Sequence, residues 1–389
     1  ADVIDINGAA GASTLQSIDL SNNATALSYS LTEAAKNVVV NSITAGGALT
    51  IKSKNDLTLN AGAITTASTG AITLEADHDI ALGNGAGTAI TATAAATDVT
   101  ITADKTPNAD GAITDGGSDI RMNAGGKLDL DAGNGIGTSG NKIETQGLVV
   151  LDAKTTSGGI FINNTVSGGM NLTKLGGSTN SITSGGNVDL ASFGGITITD
   201  PIVTSAGSTL TFGSQVTLTT DTTLDTGTGK ITFGGALVGA THRLIIGSAG
   251  DSNDVDFTGA VSGMGLAGDG DPSIQLNTTG TVDFQSTLGA NNGIDQNGAG
   301  TTKFQENVTI ANGALANNFQ GSLIFDGMNW SSFDDIVFAD TLTISSGNVQ
   351  IDTNDGALTG AGIAGGGFNL TLITDSKTAS FSALADNLG

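Results

Sequence analysis

The sequence predicts an all-β fold, a right-handed parallel β-helix (β-solenoid) with about 20–25 residues per coil. Three observations predict it: a recurring phenylalanine, short apolar-x-apolar triplets at even spacing, and turns built from Gly, Asn, Asp and Thr. Phe212, Phe233, Phe257, Phe284, Phe304 and Phe325 follow one another at spacings of 21, 24, 27, 20 and 21 residues. The text around them repeats, as in Ile231-Thr-Phe-Gly-Gly-Ala-Leu237, Val255-Asp-Phe-Thr-Gly-Ala-Val261 and Val282-Asp-Phe-Gln-Ser-Thr-Leu288. Each stretch reads as a strand, a turn and a second strand, and a period of this length carrying strands is one solenoid coil.

The triplets set the local structure. Leu49-Thr-Ile51 and Leu57-Thr-Leu59, Ile72-Thr-Leu74 and Ile80-Ala-Leu82, Ile120-Arg-Met122 and Leu128-Asp-Leu130, and Val188-Asp-Leu190 and Ile196-Thr-Ile198 form pairs whose members start eight residues apart. Strand side chains alternate, so the apolar pair of each triplet faces inward and its Thr, Asp, Arg or Ala faces out. Ala45-Gly-Gly47, Asn123-Ala-Gly-Gly126 and Ser184-Gly-Gly186 supply residues that tolerate tight reversal. Antiparallel hairpins would give longer paired strands and no coil-length period, whereas stacked coils pair each short strand with its equivalents above and below. Right-handedness follows from the general preference of parallel crossovers.

Three regions are expected: an irregular or capping segment over 1–41, with a short helical turn near Ser30–Lys36; an aliphatic-cored solenoid over 42–200; and a Phe-rich solenoid over 201–389. Eleven of the 13 Phe residues follow position 200, and Asp200-Pro201 marks the boundary because Pro cannot donate to a ladder. At about 22 residues per coil the chain would make roughly 17 coils, a rod on the order of 80 Å long. The chain opens on Ala1 and reads as a mature product or a segment.

Thirteen Lys and Arg against 37 Asp and Glu give a net charge of −24, a field that repels nucleic acid and anionic membrane surfaces. With no Cys, disulfides and thiolate chemistry are excluded. No apolar run approaches the ~20 residues needed to span a bilayer.

Chemistry-bearing residues are few. His78, in Asp77-His-Asp79, could bind a metal between its carboxylate neighbours, but adjacent strand residues point to opposite faces. His242 sits in Thr241-His-Arg243. Both read as turn residues on a solvated face. Acidic groups at Asp251–Asp256, Asp269–Asp271 and Asp334-Asp335 lie in or beside turns, where Asp is expected for local hydrogen bonding. Calcium at Asp251, Asp254 and Asp269 is the metal that such oxygen-rich turns would take; otherwise no cofactor is expected, and diffuse cation screening accounts for the acidic excess. Gly83-Asn-Gly-Ala-Gly87 precedes a strand-like segment and not a helix, which removes the phosphate-loop reading. The six Phe residues of the series are expected in the core.

Gly46-Gly-Ala-Leu-Thr-Ile-Lys-Ser-Lys-Asn-Asp-Leu-Thr-Leu-Asn-Ala-Gly62 and Gly70-Ala-Ile-Thr-Leu-Glu-Ala-Asp-His-Asp-Ile-Ala-Leu82 resemble the repeats of filamentous-haemagglutinin-type adhesins. The Phe coils after residue 210 resemble those of autotransporter-like bacterial surface proteins. Together the resemblance covers roughly residues 42 to 375. It implies a secreted, right-handed β-helical shaft in an adhesin, a biofilm matrix or a surface layer. The function expected is therefore that of a non-enzymatic extracellular structural protein: an adhesin shaft, or a filament subunit associating end to end or side by side. A glycan or cell-surface receptor is its expected partner. The alternative is a β-helical polysaccharide lyase or hydrolase, which would show a groove lined by Asp with Lys or Arg on successive coils.

Overall fold

The computed structural model describes the strands Asp2–Asp5, Ser13–Leu15, Ile18–Leu20 and Leu27–Ser30, and residues 37–383 except 67–69, 84–86, 93, 95–96, 107, 109, 124, 148, 166–167 and 312–314. Among the described residues there is no helix, and the strands stack as a parallel β-solenoid of about 15 coils. The only antiparallel contact among them is an isolated bridge between Thr138 and Asn141. The chain divides into two compact units, Ala1–Thr204 and Ser205–Gly389, next to Asp200-Pro201.

In the first unit one coil is Leu49–Ser53, Leu57–Leu59 and Ile64–Thr66, and the next is Ile72–Ala76, Ile80–Leu82 and Gly87–Ala92. Leu49 lies beside Ile72, Leu57 beside Ile80 and Ile64 beside Ile90, so each coil contributes to three parallel ladders. The triplet rule holds: Leu49, Ile51, Ile72 and Leu74 are fully buried, while Thr50 and Thr73 between them are partly exposed. Partners in the first ladder run from Leu49 to Ile72, Val99, Leu128 and Leu151, steps of 23, 27, 29 and 23 residues. Corner insertions thus lengthen coils beyond the expected average, which is why fewer coils form. Segment 1–41, expected to be irregular or capping, already carries coil strands: Asp2–Asp5 pairs with Leu27–Ser30, which pairs with Leu49–Ser53. The helical turn expected near Ser30–Lys36 falls largely outside the described residues.

In the second unit the ladders begin at Leu210–Phe212, Val216–Leu218 and Thr222–Leu224. Phe212, Phe233, Phe257, Phe284, Phe304 and Phe325 are direct register partners down one ladder, and all six are buried as expected. From Phe212 to Phe304 the rings stack with centroids 4.6–5.2 Å apart, close to the ~4.8 Å separation of neighbouring strands. The stack then turns: Phe325 meets Phe304 edge-on at 5.9 Å, and Trp330 meets Phe304 edge-on at 5.4 Å. The long strand Ile336–Ser346 rounds a corner and pairs with both Asn317–Phe319 and Ser322–Asp326.

One device recurs at the corners. An Asp or Asn directly before a strand accepts, through its side-chain oxygen, the backbone N–H of the equivalent residue one coil on. In the first unit Asp79 takes the N–H of Ala112 at 2.8 Å, and Asn37 and Asp56 make longer contacts of the same kind, each at 3.4 Å. In the second, Asp254 takes Thr281, Asp335 takes Ala357, Asn307 takes Asn329 and Asn348 takes Asn369, at 2.7–3.1 Å. These N–H groups sit at or just before the first residue of a strand, where the side-chain oxygen extends the hydrogen bonding of the ladder around the corner. Backbones also approach closely at corners: a Cβ on Gly259 would lie 2.5 Å from the carbonyl carbon of Gly235 in the preceding coil.

Candidate functional site

The three aspartates expected to hold calcium do not converge. Asp251 closes its own turn, accepting from the N–H and hydroxyl of Ser248 at 2.5 and 2.6 Å, and those bonds hold its carboxyl below the usual range. Asp254 is a corner cap on Thr281. Asp269 accepts from the Asp271 N–H and the Asn292 amide. In Asp334-Asp335, Asp335 caps Ala357, while Asp334 is buried and raised to about 6 by that burial and then by Asp335, against a bond from the Leu315 N–H. Each of these carboxylates is engaged by a turn or corner hydrogen bond, and Asp251, Asp254 and Asp269 do not gather into a described group of three ligand-type side chains.

Among the described residues, one group of three ligand-type side chains has its donor atoms within 4.8 Å of one another: Asp56, His78 and Asp79. Asp56 and Asp79 occupy the same corner position on successive coils, just before Leu57–Leu59 and Ile80–Leu82. His78, one residue earlier, turns back toward the preceding coil, so its Nδ1 lies 2.6 Å from Asp56 Oδ1 and 3.5 Å from Asp79 Oδ2. The bond to Asp56 raises the His78 pKa; burial opposes the rise, and Asp79 and Asp110 add to it. Chain adjacency offers His78 only Asp77 and Asp79; its contact with Asp56 is made by coil register. His242 takes the equivalent slot before Leu244–Ile246 and faces Asp221 of the preceding coil at 3.8 Å. There the following residue is Arg243, which reaches Asp271 at 3.1 Å.

A second feature lies on the outward face of the first unit, over Val99–Thr102, Gly126–Ala132 and Val149–Thr155. Asp129 stands directly beside Asp152, and Asp131 beside Lys154. The segment after Met170–Leu172 folds back over this face, and the Leu175 N–H donates to Asp152 at 2.6 Å. Beneath it a hollow of about 190 Å³ is lined by Thr100, Lys127, Asp129 and Leu175; a separate hollow of about 310 Å³ is lined by Thr102, Lys105, Asp131 and Lys154. Burial, then the charges of Asp152 and Asp131, push Asp129 up to about 6. Burial also raises Asp152, against the bond from Leu175. A carboxylic acid poised near neutrality beside a second carboxyl is the arrangement that general acid-base chemistry uses. The Leu128-Asp-Leu130 triplet marked Asp129 as outward-facing; uneven coil lengths hid its alignment with Asp152.

Of the remaining sequence candidates, the Gly83–Gly87 loop has residues 84–86 outside the described set, and Gly87–Ala92 is a strand, as its composition predicts. No described helix is long and apolar enough to cross a membrane.

By fold this chain is a parallel β-solenoid repeat protein. Comparison with protein-family models, with curated proteins and with solved structures gives no match.

Proposed function

We propose that this is a non-enzymatic extracellular structural protein, a β-solenoid serving as an adhesin shaft or as a self-assembling filament subunit of a bacterial surface or matrix. The observation that carries the reading is the unbroken register of the Phe ladder from Phe212 to Phe325, with buried apolar partners in every coil. Each coil rests on its neighbours, so mechanical continuity is the property the sequence secures most consistently. Outward rows of Thr, Asp, Asn and Ser and the net charge of −24 suit a solvated surface that presents itself to glycans, receptors or further copies. Electron microscopy of the purified chain tests the reading: fibres longer than the monomer support the filament, isolated monomer-sized particles the shaft, and amorphous aggregates neither.

One observation favours a second reading, a β-helical enzyme acting on polysaccharide. Asp129 stands beside the buried Asp152 in register, Asp129 and Lys127 line one hollow of this face, and Lys105 and Lys154 line another. Neighbouring strands separated by ~4.8 Å bring the two carboxyls near the separation that retaining glycosidases use, ~5 Å, with Asp152 covered by the segment that carries Leu175. Assay of the purified chain against a panel of neutral and acidic polysaccharides decides between the two. Release of reducing or unsaturated ends, lost in Asp129→Asn and Asp152→Asn, establishes the enzyme; no release leaves the structural reading standing.

A further inference from the structure

We propose that Asp56, His78 and Asp79 bind one borderline divalent cation of the Zn²⁺ class, tying two successive coils of the first unit together. The donor set selects the ion: an imidazole nitrogen with two carboxylate oxygens suits Zn²⁺, Co²⁺ or Ni²⁺, whereas Ca²⁺ and Mg²⁺ take oxygen ligands. In a tetrahedral site with bonds of ~2.0–2.1 Å, neighbouring ligand atoms stand roughly 3.3 Å apart. The Nδ1 to Asp79 Oδ2 separation of 3.5 Å already matches that edge, and the 2.6 Å separation from Asp56 Oδ1 needs to open by several tenths of an ångström. His78 has room for this, since its side chain is 40% exposed at the corner.

The backbone organises the ligands. Asp79 Oδ1 accepts the Ala112 N–H at 2.8 Å, which aims Oδ2 at the imidazole. Asp56 precedes Leu57–Leu59 and Asp79 precedes Ile80–Leu82, strands held in parallel register, so the backbone sets both residues at the same corner of adjacent coils before any ion arrives. Asp110 adds negative charge close by, and water would complete the coordination. The cation would take the place of the proton between His78 and Asp56, removing a hydrogen bond and making three metal bonds.

The second unit contains its own control. His242 has the same register position and the same carboxylate in the preceding coil, Asp221, but Arg243 stands where the first unit has Asp79. One carboxylate and a guanidinium offer a cation no site.

The test is calorimetric titration of the full chain, freed of metal, with Zn²⁺, and in parallel with Ca²⁺. One saturable Zn²⁺ per chain is expected. His78→Gln and Asp56→Asn should each weaken it about tenfold or more, while His242→Gln leaves it unchanged. A Co²⁺ derivative should show the intense visible bands of a four-coordinate site. As a check independent of the folding of any variant, Zn²⁺ should protect His78, but not His242, from diethylpyrocarbonate in the unmodified chain, read by mass spectrometry. Absence of saturable Zn²⁺ binding, equal binding by His78→Gln, equal competition by Ca²⁺ or no protection of His78 would each overturn the proposal.

Discussion

Where unit 2 stacks Phe233 on Phe257 and Phe257 on Phe284, with ring planes within 7° of parallel, unit 1 stacks Leu74 beside Ile101 and Ile162 beside Leu190. Both interiors are closed to solvent. Flat rings spaced at the strand separation form a continuous column in which each ring touches the ones before and after it; branched aliphatics fill the same space by interlocking, without a preferred plane. The exteriors differ as well: nine of the 13 Lys and Arg residues fall in 1–204. There Lys52 and Lys105 pair with Glu75 at 2.6 and 3.2 Å, and Lys105, Lys127 and Lys154 line the hollows beside Asp129 and Asp131. Unit 2 is thus specialised inward and unit 1 outward.

The largest effect that would break this contrast is truncation within the column. Phe257→Ala should cost about 3–5 kcal/mol, with the loss of two ring contacts worth about 0.5–1.5 kcal/mol each contained within that sum. Leu190→Ala in unit 1 should cost about 2–5 kcal/mol. The sharper comparison is between swaps that conserve more volume: Phe257→Leu forfeits both stacks, whereas Leu190→Met should cost less than about 1.5 kcal/mol. Hydrogen exchange at the flanking strands reads both, because neighbour-coupled repeats open locally. Equal protection in the two leucine and methionine variants would show that the column adds nothing beyond burial.

Next comes the outward specialisation of unit 1. Asp129 titrates at about 6 in the folded chain against an ordinary value of 3.8, so the folded state holds the extra proton between those values. Stability should therefore fall as pH climbs from about 4 to about 6 and stay at the lower level above that. Asp129→Asn should raise stability by roughly 1 kcal/mol at pH 7.5, the shift discounted for the group's partial exposure to solvent, and hardly at pH 4. Chemical denaturation at the two pH values measures it. A destabilising effect at pH 7.5 would show that Asp129 is held as a useful anion by the neighbouring lysines.

How much of this was readable beforehand follows from which contacts chain adjacency encodes. Triplets such as Leu49-Thr-Ile51 declare their inward and outward faces locally, and the Phe period declares the stacking partner, so the fold and its aromatic row were legible. Contacts between coils depend on the number of residues in each corner. The step from Val99 to Leu128 is 29 residues and that from Leu49 to Ile72 is 23, and no local signal announces the difference. Hence Asp56 beside His78, and Asp152 beside Asp129, emerge only from the register. The three aspartates of the calcium expectation show the same limit: Asp251, Asp254 and Asp269 are neighbours in turn-rich text, but each accepts a hydrogen bond from a backbone donor of its own.

The smallest expected effect asks whether acidic residues work at corners or on faces, and Asp254 and Asp256 allow the question within three residues. Asp254 caps the Thr281 N–H at 2.7 Å. Asp256 pairs with Lys230 of the preceding coil at 2.5 Å, and the lysine side chain is 47% exposed. The corner hydrogen bond is worth on the order of 1 kcal/mol net, whereas an exposed ion pair contributes about 0.2–1 kcal/mol and weakens with salt. Asp254→Ala should therefore destabilise by about 1 kcal/mol at any ionic strength. Asp254→Asn, which keeps the acceptor, should be nearly neutral, and Lys230→Ala should lose most of its small effect in ~1 M salt. If Asp254→Asn costs as much as Asp254→Ala, charge and not the hydrogen bond holds that corner. The Asn caps at Asn307 and Asn348 would then need a different explanation, since they seat the same N–H position without any charge.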